Sequence, residues 1–259
     1  MDLHKDFTSK SINLANDYEG KVKAVLIASN FNTGKRKSIL YLHGYIDYFF
    51  HPHLAEKFNT HGYDFYALDL RKYGRSLMPH QHPNYCKSIE EYFEEISISI
   101  REIKNLSTNL YLLGHSTGGL IASSYMNDGE EKQHINGLIL NSPFLDFNLP
   151  KVGKTLSLIT SSLISYFSNY ANLKGVLPSA YAASIHKKYH GEWDFNLDWK
   201  PIKGFPTYFK WIVAIAKSQK KLENSTIKVP ILVMHSSASL RTSTFTKEAK
   251  NTDIVLNIE

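Results

Sequence analysis

Gly114-His115-Ser116-Thr117-Gly118-Gly119 decides the fold of this chain. It follows the apolar run Leu110-Tyr111-Leu112-Leu113 and precedes the helix-like stretch Leu120-Ile121-Ala122-Ser123-Ser124-Tyr125-Met126. A strand that turns sharply into a helix strains its central residue. Glycines two positions either side give the neighbouring backbone room to pass. The spacing therefore predicts a serine hydroxyl at the tip of a strand-turn-helix, with N–H groups of the helix's first turn aimed at the same point. That arrangement suits a nucleophile whose reaction develops an oxyanion.

Outward from this segment, strand-like runs alternate with helical ones. Strands are expected at 22–27, 38–42, 64–69 and 138–140, helices at 52–60 and 89–106, and a turn at Asn32-Thr33-Gly34. Glu90, Glu91, Glu94 and Glu95 gather near the start of the second helix, where the helix dipole favours negative charge. This β-α-β alternation, with strands too apolar to face water, predicts an α/β fold: a mostly parallel sheet flanked by helices. The pattern breaks after Pro143. Residues 149–223 show helical periodicity, no good strand and a heavy aromatic load, including all three tryptophans, Trp193, Trp199 and Trp211. The sheet pattern returns only at Val229-Pro230-Ile231-Leu232-Val233-Met234. A single domain over 1–259 is expected, with a core of 1–148 and 224–259 and a helical cap at about 149–223. The alternative is a side domain whose aromatics fill a core of its own.

Bulk composition frames the function without deciding it. The 259 residues are 42% hydrophobic, ordinary for a globular protein with a sizeable core. Net charge is +6 and the pI about 9.1, but the lysines are scattered. The densest clusters, Lys35-Arg36-Lys37 and 217–221, read as a turn and a solvated helix end, so no nucleic-acid partner is expected. Cys86 is the only cysteine, which excludes an intrachain disulfide. Met1-Asp2-Leu3-His4-Lys5-Asp6 begins no apolar signal segment and no stretch could span a bilayer, so no stable membrane insertion and a cytoplasmic location are expected.

Four segments carry a resemblance: Tyr41-Leu42-His43-Gly44; residues 69–76, reading Asp-Leu-Arg-Lys-Tyr-Gly-Arg-Ser; the Gly114 to Gly119 segment; and Val229-Pro230-Ile231-Leu232-Val233-Met234-His235. Together, in this order, they resemble the α/β-hydrolase superfamily, in its lysophospholipase, monoacylglycerol-lipase and serine-aminopeptidase-like branch. The resemblance implies an α/β-hydrolase fold with the cap inserted before the penultimate core strand. It implies Ser116 as an acyl-accepting nucleophile, with an oxyanion held by the backbone N–H groups of Tyr45 and Thr117. His43 is expected to shape its loop, and His115 to point into the fold, away from substrate.

The chain departs from that pattern at the acid and the base. The stretch His235-Ser236-Ser237-Ala238-Ser239 lacks the aspartate that the family carries there. Asp253, followed by Ile254-Val255, resembles the family's acid beyond an enlarged loop; a plain surface aspartate is the alternative. The superfamily order is Ser, acid, His. Six residues follow Asp253 and none is histidine, so the last helix, last strand and general base of that pattern find no counterpart, as in a C-terminally truncated member. Of the other histidines, His235 is the best-placed substitute. His51 with His53, His80 with His82, and His186 with His190 lack a supporting ligand set and read as surface histidines, so no metal and no cofactor are expected. The implied function is a serine hydrolase of small-molecule acyl esters: lysophospholipid, monoacylglycerol or similar. The alternative is a non-catalytic remnant or a partner-binding protein on the same fold. The oligomeric state is open.

Overall fold

The computed structural model describes residues 6–29, 36–175, 177–240, 242, 245–248 and 251–255. The expected turn at Asn32-Thr33-Gly34, Lys35 and both chain ends lie outside the described residues.

Strands β1 (Phe7–Asp17) and β2 (Gly20–Ser29) form an antiparallel hairpin across a two-residue turn, with Gly20 at φ 102°. The sequence pattern does not reveal β1. Only Ile12 and Leu14 of its eleven residues are buried, so the edge strand lacks an apolar alternation along its length. Strands β3 (Arg36–Leu42), β4 (Tyr63–Asp69), β5 (Ser107–His115) and β6 (Ile135–Asn141) follow, separated by α1 (Pro52–Thr60), α2 (Phe93–Lys104) and α3 (Thr117–Asp128). After β6 come α4 (Lys151–Phe167), β7 (Asn172–Leu173), α5 (Ser179–Ile185), β8 (Thr207–Tyr208) and α6 (Phe209–Leu222); β9 (Ile231–Met234) then rejoins the sheet. The two-residue β7–β8 ladder corrects the expectation of no strand between 149 and 223.

The sheet order is β1-β2-β4-β3-β5-β6-β9, and every pairing from β4 to β9 is parallel. Side chains alternate across it as a pleat requires. Leu40, Leu42 and Leu112 join Ile96, Ile100 and Ile103 of α2 and Leu120 and Ile121 of α3 on one face. Ile39, Tyr41, Phe65 and Leu113 pack with Ala55 of α1 on the other. The long segment between β6 and β9 does not hold its aromatics in a separate core. Tyr208 and Trp211 join the first cluster, and Phe195 and Trp193 pack on Phe50 and His53.

Register fixes where a site can form. Leu42 pairs with Gly114, His115 with Asn141, and Asn141 with Met234, so β3, β5, β6 and β9 end at one level. The loops leaving those ends converge on the carboxyl edge of the parallel sheet, where α/β folds hold ligands. At the far side, all four β9 residues are exposed by 41–54%. Between β9 and α1 a groove of about 540 Å³ opens, lined by Phe58, Tyr63, Tyr111, Ile139 and Leu232 among others. No helix among the described residues is long and apolar enough to cross a membrane.

Candidate active site

Three non-glycine residues with positive φ stand together at the converging loops: Ile46 (49°), Ser116 (53°) and Ser142 (46°). A β-branched residue such as Ile46 rarely adopts that conformation, and strain of this kind persists only where surroundings over-determine it. Ser116 shows how. Its N–H donates to the Asn141 carbonyl at 3.0 Å, and its own carbonyl accepts from Gly119 at 2.9 Å and Phe144 at 3.0 Å. The turn from β5 into α3 is thus clamped by β6, α3 and the following loop.

The flanking glycines are sterically required. A Cβ on Gly118 would lie 2.3 Å from the Leu42 carbonyl oxygen, and one on Gly114 would lie 2.5 Å from that of Gly118. Both approaches are backbone against backbone, with nothing flexible to yield. Helix α3 therefore starts tight against the end of β3, and Thr117 is its buried first residue.

Tyr45 follows the His43-Gly44 end of β3. Its ring stacks on Trp211 of α6 at 4.0 Å, and its hydroxyl donates to Thr207 Oγ1 at 3.2 Å. His43 is buried, accepts the Leu70 N–H on Nε2, and so carries its proton on Nδ1, donated to the Gly44 carbonyl. Burial holds this imidazole neutral by lowering its pKa. It ties the Tyr45 loop to the chain leaving β4.

Ser116, Tyr45, Thr117 and Asp253 line one cavity of about 130 Å³, with Phe144, Leu177, Trp211 and Val255 supplying apolar wall. The structure thus brings together all four residues singled out in the sequence. Asp253 is held by backbone: its N–H donates to the Ala238 carbonyl at 2.9 Å, its carbonyl accepts from Leu240, and its Oδ1 accepts the Val255 N–H at 2.8 Å.

The expectations for four histidines are corrected. His115 also lines this cavity rather than pointing away, with Nδ1 3.8 Å from the Asp47 carboxylate. His235 is exposed, and its one hydrogen bond among the described residues is to the Ser236 carbonyl. His115 is the single histidine in the cavity wall, and no hydrogen bond joins it to Ser116 among the described residues. His51 and His186 are not surface residues either. His51 Nδ1 is buried with no hydrogen-bond partner among the described residues, and burial lowers its pKa to about 3. His186 is buried, with Nε2 on the Phe195 carbonyl and Nδ1 accepting from Lys188.

Sequence reasoning missed the charge beneath the site. Asp47, two residues beyond Tyr45, is buried and paired with Lys200 at 2.8 Å. The Lys200 ammonium lies 5.3–5.7 Å from the ring centres of Phe50, Tyr181 and Phe195. Burial alone would raise the Asp47 carboxyl, but the Lys200 ammonium, with the His115 imidazole beside it, outweighs burial and holds the group below the carboxylate range. An acid just after a His-Gly turn was a visible signal; its lysine, 153 residues away, has no local signature.

The comparisons with known proteins agree with this architecture. The family model described as "Serine aminopeptidase, S33" matches residues 33–244, most of the chain. The chain belongs to the S33 serine aminopeptidase family. Within a 126-residue stretch this S33 member is 31% identical to "Phospholipase YtpA" of Bacillus subtilis (strain 168), covering 48% of the chain and 47% of that protein. The match thus spans just under half the length of that relative. Among solved structures, the S33 member is similar to a soluble variant of monoglyceride lipase from Saccharomyces cerevisiae in complex with a substrate analog. That likeness has a TM-score of 0.64 at 19% identity, over 86% of this chain and 75% of the lipase. It is also similar to a monoacylglycerol lipase from Paleococcus ferrophilus, with a TM-score of 0.58 at 19% identity over 90% and 78%. At these identities the structures speak for the fold alone, an α/β-hydrolase.

Proposed function

We propose that this S33 member hydrolyses carboxylic esters through an acyl-enzyme on Ser116. The observation that carries this reading is the strained Ser116 sharing one apolar-walled cavity with Tyr45, Thr117 and Asp253. Ser116 Oγ attacks the acyl carbonyl, forming the Oγ–C bond as the carbonyl pair moves onto oxygen. The N–H groups of Tyr45 and Thr117 receive that oxyanion. An imidazole, supplied from solution in the test below, takes the Ser116 proton and returns it to the leaving alcohol as the tetrahedral centre collapses. Water, deprotonated in the same way, then attacks the acyl-enzyme and releases the acid and free Ser116. Asp253 is the acid that would orient a proton-carrying imidazole. Residues 149–223 act as a cap whose Leu177, Tyr181 and Trp211 hold the acyl group. Acyl transfer of this kind draws on no cofactor. The names of the phospholipase and monoglyceride lipase relatives favour a lysophospholipid or monoacylglycerol.

A second reading, a non-catalytic or partner-binding protein, is favoured by one observation: the Ser116 hydroxyl has no imidazole partner among the described residues. Added imidazole separates the two. Release of p-nitrophenol from p-nitrophenyl butyrate is followed with rising imidazole, in the wild type and Ser116→Ala. Ester chemistry at Ser116 predicts a rate that saturates with imidazole in the wild type and matches the solution background in Ser116→Ala. Equal rates in both proteins at every concentration would leave the partner-binding reading in place.

A further inference from the structure

The cavity at Ser116 is small for a lipid acyl chain. It measures about 130 Å³. Sites for drug-sized ligands run to roughly 300–1,000 Å³. A dry apolar cavity of about 150 Å³ holds one benzene, about six carbons. At the same packing a sixteen-carbon acyl chain needs roughly 400 Å³. Beside Ser116 and Thr117 the wall is apolar, made by Phe144, Leu177, Tyr181, Trp211 and Val255. Such a wall suits a hydrocarbon group, and its volume says how much of one.

Two of these side chains are held where they stand. Trp211 is buried on α6 within the larger core cluster, and its ring stacks on that of Tyr45 at 4.0 Å and 29°. The Tyr45 hydroxyl is itself fixed, 3.2 Å from Thr207 Oγ1 and 3.4 Å from the Pro206 carbonyl. Phe144 is pinned through both backbone groups. Its N–H donates to the Ser116 carbonyl, and its carbonyl accepts from Gln219 Nε2, each at 3.0 Å. Walls fixed in this way select by size, because extra methylenes forced into a filled site displace packed atoms.

Tyr45 joins the size of the cavity to its chemistry. Its N–H is the one assigned to the oxyanion, and its ring carries Trp211. The Trp211 wall therefore stands one tyrosine side chain away from the reacting carbonyl. Leu177 is only partly buried and belongs to the segment between α4 and α5, so it can change size without opening the core.

We propose that the Ser116 site takes short acyl groups, of about six carbons or fewer, and that Trp211 and Phe144 set this limit. The inference rests on the ester reading above and names its acyl half; the alcohol is left as it stands there. Of the esters considered, those with short acyl chains qualify. A longer chain meets the Tyr45–Trp211 stack before its carbonyl reaches Ser116.

The test compares kcat/KM for p-nitrophenyl esters from acetate to decanoate in imidazole buffer. The wild type is expected to peak at butyrate or hexanoate and to fall at least about tenfold by decanoate. Trp211→Leu should move the peak about two to four carbons longer. Leu177→Ala should move it longer with an unchanged Tm, and Leu177→Trp should move it toward acetate, so the test stands even where Trp211→Leu fails to fold. A binding series without turnover separates the size limit from the ester reading. Neutral amides, butanamide to decanamide, are titrated into wild type and Ser116→Ala by ligand-observed NMR. In both proteins affinity should rise to about hexanamide and fall at least about fivefold by decanamide, whereas an open pocket would add about fourfold per CH₂ throughout. Esters untouched at every length, with that amide profile intact, would sink the ester reading and support the size limit. Rates or affinities that keep rising to ten carbons overturn the proposal. So does a peak that neither Leu177 variant moves.

Discussion

Helices α2 and α4 carry the same spacing of apolar residues and use it in opposite directions. Ile96, Ile100 and Ile103 of α2 are wholly buried beneath the sheet, and even Glu95 is buried there on Arg71. In α4 the matching stripe, Val152, Leu156, Ile159, Leu163 and Tyr166, faces out, and serines face in. The period of a pattern reveals that a helix has a face; what meets that face depends on the element beside it. In α2 the face stabilises the fold. In α4 the fold gains little from it.

That contrast can be broken most forcefully where the segment after β6 is joined to the core. Lys200→Met removes the cation from a pair buried beneath the Tyr45 loop and leaves the buried Asp47 carboxylate with only the His115 imidazole, 3.8 Å away. A loss of about 3–5 kcal/mol is expected in urea unfolding. Loss below about 1 kcal/mol would mean that the pair is solvated and does not position the loop. Gly118→Ala should cost on the order of 3 kcal/mol, since its Cβ would press on the Leu42 carbonyl with no side chain to move aside. A wild-type melting curve for that variant would refute the tight packing of α3 against β3.

The two helices are then compared directly. Ile100→Ala in α2 should cost about 2–4 kcal/mol, because a wholly buried side chain leaves a cavity. Ile159→Ala in α4 should change stability by no more than about 0.5 kcal/mol, as for surface positions in general. Equal losses would mean that α4 is covered in solution.

A smaller effect appears with pH. His51 is neutral in the fold, with a pKa lowered to about 3 by burial, while in the unfolded chain it titrates near 6.5. Below about pH 6.5 the unfolded state gains a proton that the folded state refuses, so stability falls as pH drops toward 3. Tm measured between pH 7 and 4.5 should decline, and His51→Phe should decline less steeply. His43, whose pKa is also lowered by burial, supplies part of the remaining slope.

Much of the fold was legible because its signals are local. Buried runs at β3, β5 and β6, punctuated by Gly44, Gly114 and Gly118, name a parallel sheet with a sharp turn at Ser116. Strand β1 was hidden because one partly covered face of an edge hairpin leaves too few buried positions to set a period. The candidate site was legible as far as Ser116, Tyr45 and Thr117, each just past a strand end, and Asp253, which lines the same cavity well beyond the end of β9. Asp47 with Lys200 was not, since a pair 153 residues apart is created only by folding. The place of His115 was hidden for a related reason: Asp47, the carboxylate it faces at 3.8 Å, is distant from it in sequence.

The central claim is that folding makes Ser116 a poised nucleophile, and labelling with a fluorophosphonate in imidazole buffer tests it most directly. One phosphonyl adduct on the peptide containing Ser116 is predicted in the native protein, and none in Ser116→Ala or in the urea-unfolded chain. Native protein without an adduct, or an equal adduct on Ser116→Ala, would contradict it.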